Sequence, residues 1–93
     1  MPKDKFLKIF ELYYDITGGK PQIDNRPDVR IEVNSISSSL RVSIFINGYI
    51  RDAFPDYVYC LTNESSNDEF DRAISMLNLC KETAEIGKKY LRN

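Results

Sequence analysis

The hydrophobic repeat changes period twice along the chain, and this limits the folds open to it more than any other feature. Phe6, Ile9, Phe10, Tyr13 and Ile16 recur at three- and four-residue steps, which predicts a helix over residues 4–16. From 28 to 46 the pattern alternates. Val29, Ile31 and Val33 point one way, with Arg30, Glu32 and Asn34 the other, over a strand at 28–36. Leu40, Val42, Ile44 and Ile46 do the same against Arg41, Ser43, Phe45 and Asn47. Helical spacing returns near 67 and runs to about 91. Helix, alternating strands, helix is the signature of an α+β domain.

The punctuation between these stretches agrees. Thr17-Gly18-Gly19 stops the first helix, because glycine reaches the left-handed cap conformation at little cost. Lys20 to Pro27 is a connector, and Ser37-Ser38-Ser39 is a turn. Asn47-Gly48 is a strong hairpin signal, so a third strand is expected to start at Tyr49. Pro55 marks a bulge or edge, and Tyr57 to Leu61 either continues that strand or forms a fourth. Ser66 and Glu69 make a capping-box pattern at the start of the last helix, whose first turns carry Asp68, Glu69 and Asp71.

The expected architecture is therefore a two-layer α+β fold in the order α-β-β-β-α. A three-stranded antiparallel sheet, or a four-stranded one, carries both helices on one face. Val29, Ile31, Val33, Leu40, Val42, Ile44 and Ile46 should meet Phe6, Phe10, Tyr13, Phe70, Ile74 and Leu77. The outer face should show Arg30, Glu32, Arg41, Ser43 and Phe45 to water. Ninety-three residues leave room for one core, so residues 1–93 are read as a single domain.

Composition narrows the chemistry. There is no histidine, so the commonest general base and metal ligand are missing. No base stands ready to activate a serine or cysteine, and two distant cysteines make no zinc site. Cys60 and Cys80 are expected as reduced core thiols, with a bridge between them left to geometry. The expectation is a non-enzyme with no cofactor and no metal. No apolar run reaches a membrane span, and the start lacks the pattern of a secretory signal, so a cytoplasmic protein without a membrane partner is expected.

Charge is polarised although thirteen basic residues nearly balance fourteen acidic ones. Asp52, Asp56, Glu64, Asp68, Glu69 and Asp71 fall in a stretch with no basic residue, and Tyr57 lies among them. These seven residues are the candidate surface for a basic protein partner, with Tyr57 as an aromatic anchor. Lys3, Lys5, Lys8 and the strand arginines are the alternative, a nucleic-acid surface. On the last helix, Phe70, Ala73, Leu77, Cys80, Ala84, Gly87 and Leu91 form one seam. Met76, Leu79, Ile86 and Tyr90 form a second row beside it. Together they exceed the face that one sheet covers, which points to the first helix or to a homodimer through Met76, Leu79, Ile86 and Tyr90.

The element order resembles that of the double-stranded-RNA-binding domain, across nearly the whole chain. That resemblance implies a nucleic-acid-binding module with a lysine-rich start to its last helix. Here the same place holds Ser66, Asp68, Glu69 and Asp71, the wrong sign for phosphate. The chain also resembles the small α+β inhibitors of phages, the anti-CRISPR proteins among them. This implies a binding function in which an acidic side docks a basic nucleic-acid-binding protein.

Overall fold

The computed structural model describes the backbone of residues 1–90 and the side chains of residues 1–86. The elements are α1 (Lys3–Thr17), β1 (Asp28–Asn34), β2 (Ser39–Phe45), β3 (Tyr57–Thr62) and α2 (Asn67–Tyr90). The sheet is antiparallel in the order β1-β2-β3, so β1 and β3 are its edges.

Each helix end has a local cause. Gly18, at φ 63°, closes α1 by donating to the Tyr14 carbonyl at 2.7 Å. Thr17 Oγ1 donates to the Tyr13 carbonyl and accepts from the Gly19 amide. At α2, the Ser66 amide donates to Glu69 Oε2 at 2.8 Å and the Glu69 amide returns a bond to Ser66 Oγ at 3.3 Å. This is the capping box read from the sequence.

Register places Val29 opposite Ile44, Leu40 opposite Leu61, and Val42 opposite Tyr59. Directly opposed residues share a face, so these side chains line the inner side. There they meet Ile9, Leu12 and Ile16 of α1 and Phe70, Ala73, Leu77 and Cys80 of α2 in one core. Both helices therefore cover the same face. Lys5 pairs with Asp71 at 2.7 Å and Lys81 with Asp15 at 3.2 Å, which sets the helices side by side and parallel.

Four expectations are corrected. The third strand begins at Tyr57, not Tyr49, and residues 46–56 are a loop; no fourth strand exists among the described residues. Val33 and Ile46 are not core. Val33 stands at the turn end of an edge strand, 55% exposed, and Ile46 lies beyond the end of β2. Phe45 and Ser43 are buried rather than wet, and Tyr49 packs edge-to-face on Phe45 at 5.5 Å. The Arg30 guanidinium in turn lies 3.7 Å over the Tyr49 ring, and Asp28 is buried beside it. Cys60 is exposed: it faces away from the helices, opposite Arg41, whereas Cys80 is in the core. Both thiols are free, and the sheet separates them.

Candidate functional site

The loop between β2 and β3 is built by a few specific residues. Asn47-Gly48 does make a turn, with the Gly48 amide donating to the Phe45 carbonyl at 3.2 Å. The chain then bonds the connector instead of β2. The Tyr49 amide donates to the Gln22 carbonyl at 2.8 Å, and the Asn25 amide to the Asn47 carbonyl at 3.0 Å. Gly48 (φ 93°) lies so close to the connector that a Cβ there would sit 3.0 Å from the Ile23 backbone. A second turn follows, closed by the Ala53 amide on the Ile50 carbonyl, with Asp52 in the left-handed region at φ 64°. Asp56 ends the excursion: its amide donates to the Ile44 carbonyl at 2.8 Å and its Oδ2 accepts from the Ile46 amide at 2.7 Å.

This tied backbone holds apolar side chains in water beside the charged Arg51 and Asp52. Phe54 is 93% exposed and Ile50 67%, with Val58 half-exposed just beyond. A single exposed apolar residue needs no explanation. Several within one hydrogen-bonded loop are a feature that the core does not account for. The Asp56 carboxylate is the clasp. Asp56→Ala is expected to lower stability by about 1–2 kcal/mol and to speed hydrogen exchange at the Ile46 amide, read by NMR.

The acidic stretch divides in two. Asp52, Asp56 and Tyr57 lie at one end of β3, and Glu64, Asp68, Glu69 and Asp71 at the other. At about 3.3 Å per residue, the strand keeps the two groups roughly 15–20 Å apart. Several of these carboxylates already have partners. Asp56 clasps the loop, Glu69 caps α2 and Asp71 pairs with Lys5. Asp52, Glu64 and Asp68 are exposed and form no ion pair among the described residues. Tyr57 opens β3 on the helix side, opposite Ile44, and is half-exposed.

A second feature lies between α2 and β3. An open groove of about 480 Å³ is lined by Tyr59, Asp68, Asp71, Arg72, Ser75, Met76 and Leu79. Two residues of the expected self-association row, Met76 and Leu79, are therefore in one groove with Asp68 and Asp71. Met76 is partly buried against the core and Leu79 is 56% exposed. Ile86 is exposed farther along α2, and the Tyr90 side chain lies outside the described residues. Burial pushes the Tyr59 hydroxyl above its ordinary pKa, with smaller contributions from Tyr57 and Cys80, while Arg72 pulls it down. Burial likewise raises the Cys80 thiol.

The basic residues of the alternative reading are partly engaged within the fold. Lys5 pairs with Asp71, Lys8 with Glu11, and Arg30 stacks on Tyr49. Among the described residues no group of His, Cys, Asp or Glu is placed to hold a metal ion, and no helix is long and apolar enough to cross a membrane. Comparison with known proteins finds no matching family model, no similar curated protein and no similar solved structure.

Phe54 and Ile50 are the residues that sequence reasoning missed. They stand among Arg51, Asp52 and Pro55 with neither a two-residue nor a helical period. That lack of period is itself the available signal, since apolar residues in an aperiodic segment have no core to face.

Proposed function

We propose that the chain is a non-enzymatic protein-binding module that docks through the loop at residues 46–56. The observation carrying this reading is Phe54, 93% exposed on a loop whose backbone is hydrogen-bonded at both ends. Aromatic side chains dominate binding energy where they fill a partner's pocket, and a loop already in its bound shape loses little entropy on docking. Asp52, exposed in the same loop, would meet a basic group at the rim of that pocket, and Arg51, exposed next to it, an acidic one. A protein that itself holds nucleic acid would supply the basic side of such a rim, and covering it would make this chain an inhibitor.

The test is affinity capture from a lysate of the source cell after nuclease treatment, with wild type, Phe54→Ala and Ile36→Ala as baits. Ile36 is 97% exposed on the β1–β2 turn and serves as the control. Wild type and Ile36→Ala should retain the same protein, and Phe54→Ala should lose it. Because Phe54 is so exposed, its replacement should change folding stability by no more than about 0.5 kcal/mol. Retention by Phe54→Ala at the wild-type level would refute this reading.

A further inference from the structure

Tyr49 is held from three directions by residues outside its own loop. The Arg30 guanidinium of β1 lies over its ring at 3.7 Å, and the ring packs edge-to-face on Phe45 of β2 at 5.5 Å. Its amide donates to the carbonyl of Gln22 in the connector at 2.8 Å. Asp28 joins two of these holds. Its Oδ1 accepts from the Gln22 amide at 3.0 Å, and its Oδ2 lies 3.6 Å from Arg30 Nε. The contacts close into a circuit that runs from Asp28 to Gln22, Tyr49 and Arg30 and back to Asp28.

Asp28 is buried, and among the described residues its Oδ2 accepts no hydrogen bond. A buried carboxylate that relies on one ion pair at this distance is a weak source of stability, because desolvation offsets the attraction. What it fixes is direction. One oxygen holds the connector. The other faces a guanidinium, whose flat face stacks on an aromatic ring as a compact ammonium does not. Glu32, two residues along β1, has no such part: it is exposed and forms no ion pair among the described residues.

We propose that Arg30 and Asp28 are positioning residues for the loop at 46–56: by fixing Tyr49 they set where that loop stands, and so where Phe54 meets a partner. This rests on the reading of the loop as the docking surface. Asp56 ties the far end of the loop to β2, and the circuit ties the near end to β1 and the connector. A loop fixed at both ends gives up less entropy on binding than one fixed at a single end. Releasing the near end therefore weakens docking with Phe54 intact.

Amide hydrogen exchange by NMR, together with capture from a nuclease-treated lysate of the source cell, tests this. Two variants release the ring and keep a cation beside Asp28. Arg30→Lys keeps the charge but loses the flat stack. Tyr49→Leu keeps apolar cover on Phe45 but loses the face under Arg30. In both, the Tyr49 and Asn25 amides, which bond loop to connector, should exchange about 3- to 30-fold faster. Capture of the protein that wild type retains should fall with them. The Phe70 amide, in the first turn of α2, should keep its wild-type rate, and Glu32→Gln should change none of these amides. Unchanged exchange at Tyr49 and Asn25 overturns the proposal. So does faster exchange with capture at the wild-type level, or a rise at Phe70 equal to that in the loop, since the two residues would then support the whole fold. Failure of the docking reading looks different: Phe54→Ala then retains the captured protein. That result overturns both, whereas unchanged loop exchange overturns the circuit alone.

Discussion

Replacing Phe70 by alanine is expected to remove a large share of the folding stability. Phe70 is fully buried and is the largest such side chain in the core, where α2 meets the sheet and α1. Truncating a buried phenylalanine costs about 3–5 kcal/mol, from lost burial and from the cavity left behind. A domain of this size has roughly 5–15 kcal/mol in total. At roughly 4–8 °C per kcal/mol, the melting temperature should fall by about 12–40 °C. Urea and thermal melts of the variant beside wild type check this. A fall of only a few degrees would mean that the core does not close around Phe70 as the structure shows.

The second large effect is expected at Gly48, measured against Gly18. Both glycines have positive φ, 93° and 63°. Alanine at either position carries the conformational cost of that region, of order 1–3 kcal/mol. Only Gly48 adds a collision, with the Ile23 backbone at 3.0 Å and the Arg26 carbonyl oxygen at 3.1 Å; a Cβ at Gly18 meets nothing within 4 Å. Gly48→Ala should therefore be clearly the less stable of the two in urea titrations. It should also speed exchange of the Tyr49 amide, which bonds the connector, while Gly18→Ala leaves that amide unchanged. Equal losses at both sites would mean that the loop does not press against the connector.

The same glycine shows what the sequence could and could not reveal. Asn47-Gly48 correctly marks a turn, because positive φ is a local property. Which strand follows is not local. The backbone of Gln22 and Asn25 claims the loop, and Asp56 brings it back to β2, so the third strand starts at Tyr57. Phe45 was misplaced for the same reason. Alternation correctly set it on the outer face, but the covering ring of Tyr49 arrives from a loop that no periodicity describes. The inner-face set of Leu40, Val42 and Ile44 and the capping box at Ser66 were legible because period and cap depend on nearby residues alone. The acidic stretch is continuous in sequence and divided in space, since β3 runs through its middle. The apolar loop tip went unread because its exposure depends on where the rest of the chain folds.

In the proposed complex, residue 54 touches the partner. Site-specific photocrosslinking measures this directly: a benzophenone amino acid replaces Phe54 in one protein and Ile36 in another, and each is irradiated in a nuclease-treated lysate of the source cell. One discrete protein adduct is expected from position 54 and none from position 36. Adducts from position 36 alone, or the same pattern from both positions, would contradict it.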